Sequence, residues 1–335
     1  MNLAPPNIAR RLTTMSLLMM VLLLAALFLG LAAGSSGFGA SAVIKSLTGA
    51  GGAELMNDII WRLRLPRVLL AALLGATLSL GGMVFQALLR NPLAEPYILG
   101  ISGGSAIGAI IGILIGLARF PGVWLMAFVG SLATLGLLYL MASGRSMVRG
   151  NTLLLSGVMV NAFCSAVILF LVSIAQDSRL HNIIFWLMGD LTAATNESVI
   201  ALAATVLPCF LVIFVRSHAL NLLTLGNDMA RTMGVSIKAT TSLLLIVTSL
   251  MVSATVSYCG LVGFVGLVMP HMLRLVWGPD HRLLAPASVL GGAAFMVVCD
   301  MLARTLPAQG EMPVGVVTAL IGAPLFVYLL KKSNQ

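Results

Sequence analysis

A chain of 335 residues that is 59% hydrophobic and 9% charged, with a mean hydropathy of +1.07, lies far outside the range of soluble domains. This composition excludes a water-soluble fold and implies an integral membrane protein. Its 19 Lys and Arg give a formal net charge of +9 and stand mainly between apolar runs, as topology signals do; no nucleic-acid partner is expected.

Lipid-facing backbone must satisfy its own hydrogen bonds, and continuous rather than alternating apolar runs select helices over a barrel. A run of about 20 residues crosses a hydrocarbon core about 30 Å thick. Ten candidates lie near 15–34, 66–88, 97–117, 122–142, 152–175, 197–215, 240–258, 260–277, 284–303 and 313–330. The expected fold is an all-α polytopic bundle of ten transmembrane helices, one membrane domain over residues 1–335.

The first run follows Arg10 and Arg11 and ends near Ala32-Ala33-Gly34, features shared with secretory signals. It is long and nine more spans follow, so it reads as retained. With a cytoplasmic N-terminus, twelve of the 19 Lys and Arg fall inside and seven outside, and both termini are expected in the cytoplasm. Arg62, Arg64 and Arg67, in WRLRLPR before the second span, are on the side where cations are scarce. Two readings stand: snorkelling to lipid phosphates, or docking of an acidic surface. Arg304, at the outer end of the ninth span, can join this rim, with Asp300 as its i,i+4 partner.

Between the second and third spans, Asn91-Pro92 and Glu95-Pro96 predict a rigid connector. Gly100, Gly104, Gly108, Gly112 and Gly116 then recur every fourth residue, as in close helix packing or a smooth pathway wall. Cys164, Cys209, Cys259 and Cys299 lack metal-ligand spacing and read as packing residues, with no metal or disulfide expected. In the 216–239 loop, Asp228 and Arg231 share one side of a short amphipathic segment, and Leu225, Met229 and Met233 share the other. The segment Gly260 to Arg282 mixes glycines, Pro270 and His271 with Asp280-His281-Arg282. Its glycine start is expected near the outer face, its charged end inside, and a disturbance of the helix at Pro270. His271 reads as a hydrogen-bonded packing residue.

Several stretches carry a family resemblance in order along the whole chain. They are RLPR at 64–67, GGMVFQALLRNPLAEPYILGISGGSAIGA at 81–109, FWLMG at 185–189, LGNDMARTMGV at 225–235, GFVGLVMPHMLRLVWGPDHRLLAP at 263–286 and EMPVGVVTALIGAPLFVYLL at 311–330. The chain resembles the FecCD-type permease subunits of type II ATP-binding-cassette (ABC) importers, which carry ferric siderophores, haem or cobalamin across the bacterial inner membrane. The resemblance implies ten spans and a central pathway between two permease copies, identical or paralogous. It also implies two cytoplasmic ATPase subunits that hold ATP and Mg, a periplasmic or lipoprotein binding protein outside, and alternating access. Position by position, the docking arginines fall on Arg64, Arg67 and Arg304. The ATPase-coupling segment falls on Leu225 to Ile237, including Gly226, Asp228, Ala230, Arg231, Gly234 and Val235. The cytoplasmic gate falls on Gly150 and Asn151, where this sequence departs from the small hydroxyl pair of the cobalamin permease. The fifth span is expected to line the pathway, with Ser156, Asn161 and Ser165 as polar contacts or packing residues.

No GxxxxGK[ST] loop is present, so ATP hydrolysis by that route belongs to a separate subunit and the chain itself reads as no enzyme. Two other classes share part of this pattern. An ion-coupled secondary transporter would use helices broken near Pro208, Pro270 and Pro324. An intramembrane serine hydrolase would use Ser102, in the GISGG match to GxSxG, with His271 as base.

Overall fold

The computed structural model describes residues 8–33, 43–46, 57–142, 150–307 and 310–333, and among these the regular structure is helical, without strands. In chain order the helices are α1 (Ile8–Ala32), α2 (Leu65–Leu89), α3 (Ile101–Leu114), α4 (Trp124–Ala142), α5 (Gly150–Ser173), α6 (Asp177–Leu187) and α7 (Asn196–Val215). They continue with α8 (Ser217–Thr224), α9 (Asn227–Thr232), α10 (Ile237–Cys259), α11 (Val265–Trp277), α12 (His281–Thr305) and α13 (Val314–Ser333). A π-helical turn at Ile59–Arg64 runs directly into α2.

Among the described residues, seven helical stretches are long and apolar enough to cross a membrane: those of α1, α2, α4, α5, α7, α10 and α12. Three more apolar helices, α3, α11 and the Val314–Leu329 part of α13, are shorter. All ten coincide with apolar runs of the sequence, but α3 and α11 depart from the expected continuous spans. Gly100 has a positive φ of 76° and ends a 3-10 turn at Pro96–Leu99, so α3 starts only at Ile101 and Gly116 lies beyond its end. Residues 260–264 are not helical, because Gly260 has φ 71° and Phe264 φ 69°. α11 begins after them and, at 13 residues, rises only about 20 Å.

The break survives within the bundle because its backbone groups are satisfied by other segments. Leu261 donates to the Trp186 carbonyl at 3.4 Å, Val262 to the Tyr97 hydroxyl, and Phe264 to Glu95 at 2.9 Å. The glycine start therefore meets the α2–α3 connector within the bundle. Pro270, in contrast, does not break α11. A proline there leaves the Gly266 carbonyl without its intrahelical donor, and the side chain of Gln86 fills that place at 3.3 Å.

α2 is the centre of the fold, with 83% of its apolar window buried. Its neighbours approach to backbone contact: a methyl group on Gly82 would overlap the Gly266 carbonyl of α11, and one on Gly75 the Gly292 carbonyl of α12. The α3 glycines act in the same way against α4. Added methyls would overlap Thr134 at Gly104 and the Met126 carbonyl at Gly108, so the stripe is a packing seam. All four cysteines are buried and free.

Candidate functional site

Two polar assemblies stand at opposite ends of the bundle, connected by α2 and α12. α2 starts beside Arg64 and Arg67 and ends at Arg90; α12 starts at His281 and carries Arg304 in its last turn.

At the Arg67 end, a buried ion cluster ties α2 to α12. Arg67 Nε donates to Asp300 at 2.9 Å and its Nη1 to Glu311 at 2.6 Å. Arg304 Nε donates to the other Asp300 oxygen at 3.0 Å, the i,i+4 pair expected from the sequence. Arg304 Nη2 and Nη1 donate to the Gly30 and Ala33 carbonyls at 3.0 and 3.1 Å, and Arg64 donates to the Leu31 carbonyl at 2.7 Å. Two cations thus cap the C-terminal carbonyls of α1, where the helix dipole favours positive charge. The three arginines expected at this rim are gathered on one end of the bundle, yet Arg64 and Arg304 are buried and each donates to carbonyls at the end of α1. Arg62, with 77% of its side chain exposed and paired with Asp58 at 3.0 Å, is the outward-facing member of the motif. Glu311 escaped the sequence reading as a partner, since nothing in its spacing points to Arg67.

Near the same end, a cavity of about 570 Å³ lies between α3, the Arg119–Val123 turn, α6 and the loop after it. Arg119 crosses it to Asp190, and Arg179, His181, Asn182 and Phe185 also line it. The Asp190 carboxyl is burdened by desolvation, but bonds from Thr192 and the Arg119 charge outweigh this and hold it below its ordinary range. Arg119 and Arg179 were legible in the sequence only as cations on the sparse side.

At the other end, α8 and α9 form a short hairpin held by the end of α2. Arg90 donates to the Leu223 carbonyl at 3.1 Å and to the Asn227 side chain, while Leu222, Leu223, Ala230 and Ile237 bury themselves against Leu88 and Val235. α8 is also joined to the start of α12: Asn221 donates to Asp280 at 2.7 Å and accepts from the His281 amide at 2.8 Å. Gly226 and Gly234 bracket α9 with φ of 124° and 83°, conformations that suit glycine. Ala230 points into the fold, whereas the apolar Leu225, Met229 and Met233 are exposed, as are Asp228 and Arg231. Asp228 and Arg231 lie on the same short helix.

Along α5, Gly150 and Asn151 form its first two residues beside 143–149, which lie outside the described residues, and their side chains are likewise outside it. Ser165 donates to the Asn161 carbonyl at 2.9 Å, a packing bond within the helix. Asn161 is exposed and Ser156 half-buried among the exposed Leu155, Val158, Met159 and Phe163, so α5 presents an open apolar face. Ser102 sits in the first turn of α3, not on a strand-to-helix elbow, and its hydroxyl has no hydrogen-bond partner. His271 packs edge-on against Phe326, and neither ring nitrogen is bonded, which corrects its reading as hydrogen-bonded. The nucleophile–base contact of a hydrolase is therefore missing among the described residues. Asp300 is likewise committed to two arginines, not left open to an ion.

Comparison with known proteins agrees with this architecture. Residues 22–332 match the FecCD transport family. The chain is 41% identical over 278 residues to the cobalamin import system permease protein BtuC of Halobacterium salinarum, covering 83% of this chain and 74% of that one. It is 38% identical over 290 residues to the hemin transport system permease protein HmuU of Yersinia pestis, covering 83% and 86%. A solved structure, the inward-facing conformation of a metal-chelate type ABC transporter, superposes with a TM-score of 0.85 at 30% identity, covering 96% of this chain and 99% of that one. The chain belongs to the FecCD transport family and is a permease subunit of an ABC importer, whose ATP is hydrolysed by a separate subunit.

Proposed function

We propose that this permease moves a metal chelate, either a ferric siderophore, haem or cobalamin, through a pathway between two permease copies. The ten apolar helices all cross the inner membrane, with both termini in the cytoplasm. The Arg67 end faces outward and receives a binding protein, with Arg64, Arg67 and Arg304 forming the positive rim. The α8–α9 end faces the cytoplasm and receives the ATPase subunit, which supplies ATP and Mg. Its seat is the Leu225–Met229–Met233 stripe, shaped by Gly226, Gly234 and Val235. Gly150 and Asn151 serve as the cytoplasmic gate, and α5 lines the pathway with Ser156, Asn161 and Ser165.

The observation that carries this reading is the mechanical continuity between the two ends. α2 and α12 are each 25 residues long and rise about 37 Å. Each is joined to α8 or α9 at one end and to the Arg67–Asp300–Arg304 cluster at the other. A closure of ATPase subunits on the hairpin would thus be felt at the rim. ATP binding drives the cycle only if it prefers one permease conformation over the other.

Reconstitution tests the proposal: permease, partner ATPase and binding protein in proteoliposomes, assayed for uptake of haemin, cobalamin and a ferric hydroxamate. ATP-dependent uptake of one of these is expected. Uptake that persists when the ATPase cannot hydrolyse would reject the mechanism, and uptake of none would reject the substrate class.

A further inference from the structure

The two carboxylates on Arg67 are not equivalent. Asp300 is fully buried on a rigid helix and is shared with Arg304. It cannot leave without stranding two guanidinium charges in a place with little water. Glu311 is 40% exposed, bonds among the described residues to Nη1 of Arg67 alone, and comes from the segment between α12 and α13. An ion pair of that exposure exchanges at little cost.

We propose that Glu311 is an internal stand-in for a partner's carboxylate: it occupies the accessible edge of Arg67 until an Asp or Glu side chain of the docked binding protein displaces it. The inference rests on the reading of this end as the docking face. Arg67 is only 12% exposed with Glu311 in place, so an acidic side chain gains its guanidinium by exchange. Once Glu311 swings out, Arg67 and Arg304 share the single carboxylate of Asp300, a local excess of positive charge that suits an incoming carboxylate.

Displacement also has a route inward. Met312 donates to the Ala303 carbonyl at 3.1 Å, Val314 to Gly189 at 3.1 Å and Gly315 to Met188 at 3.1 Å. Within four residues of Glu311 the chain is therefore bonded to the end of α12 and, from the first residues of α13, to the turn after α6. Docking that removes Glu311 pulls on the outer end of α13 as well as on the rim.

The test uses the full permease–ATPase complex in nanodiscs and the fluorescently labelled substrate-binding protein encoded with this permease. E311Q keeps the side-chain size and removes the competing charge. It should tighten docking by about 3- to 10-fold at low salt, with the gain shrinking as salt rises, while Arg67→Gln weakens docking. Unchanged or weaker docking of E311Q, with Arg67→Gln still impaired, overturns the stand-in and leaves the docking face intact. No effect of Arg67→Gln overturns the docking reading as well. A second measurement needs no variant: amide exchange at 310–312 should accelerate in the unaltered complex when the binding protein docks, and unchanged exchange there overturns the displacement.

Discussion

The bond from Gln86 to the carbonyl freed by Pro270 makes a quantitative prediction. Gln86 is buried at the α2–α11 contact, where its Nε2 donates to Gly266 and Leu267 at 3.3 Å and its Oε1 accepts from Arg274 at 3.1 Å. Gln86→Leu keeps the volume and removes both functions. Interhelical hydrogen bonds in membranes contribute about 0.6–2 kcal/mol each, so two lost interactions should cost about 1–4 kcal/mol. Pro270→Ala restores an amide hydrogen that can reach Gly266 within the helix. In that background the Gly266 carbonyl has its helical donor, so Gln86→Leu no longer strands it and loses only the Leu267 and Arg274 interactions; its cost should fall by about 0.6–2 kcal/mol. The assay is a double-mutant cycle of reversible unfolding in mixed micelles. An equal cost of Gln86→Leu in both backgrounds, within about 0.3 kcal/mol, would refute the claim that Gln86 compensates the proline.

Gly108→Val should prevent stable packing of α3 on α4, because the new side chain would overlap the Met126 backbone; loss of the monodisperse peak in detergent checks this, and a normal melting temperature would count against it. Changing Leu225, Met229 and Met233 together to serine should leave permease stability near wild type, since all three are exposed, while ATPase co-purification fails; an intact complex would exclude the stripe as the seat. Asp280 is held well below the usual carboxylate range, first by its hydrogen bond from Arg282 and then by Asn221. A depressed folded-state pKa stabilises above the ordinary carboxylate value and is lost as pH falls through the folded one. Asp280→Asn should therefore flatten the acid limb of a stability–pH curve below about pH 4, and an unchanged limb would show that Asp280 does not contribute to it.

Much of this was legible in the residues because local spacing carried it. Apolar run length located the seven helices long enough to cross a membrane and three shorter ones, and the i,i+4 interval paired Asp300 with Arg304. What stayed hidden depends on segments far apart in the chain. Residues 260–264 leave the helix because Trp186, Tyr97 and Glu95 satisfy their amides, and no local pattern reveals those partners. Similarly, Arg64 and Arg67 read alike within RLPR. They differ because three residues of helix turn one toward the end of α1 and the other toward Asp300.

The central position of α2 also sets an order of assembly. Its partners for Gln86 and Arg67 lie on α11 and α12, some 180 and 233 residues later in the chain. During synthesis, α2 must enter the bilayer with a polar amide and a guanidinium unmatched, and hold them so until the last third of the protein arrives. Early membrane insertion and final compaction are therefore separate events for this helix. A chain ending after α10 should insert yet remain sensitive to membrane proteases, and one extended through α12 should become resistant.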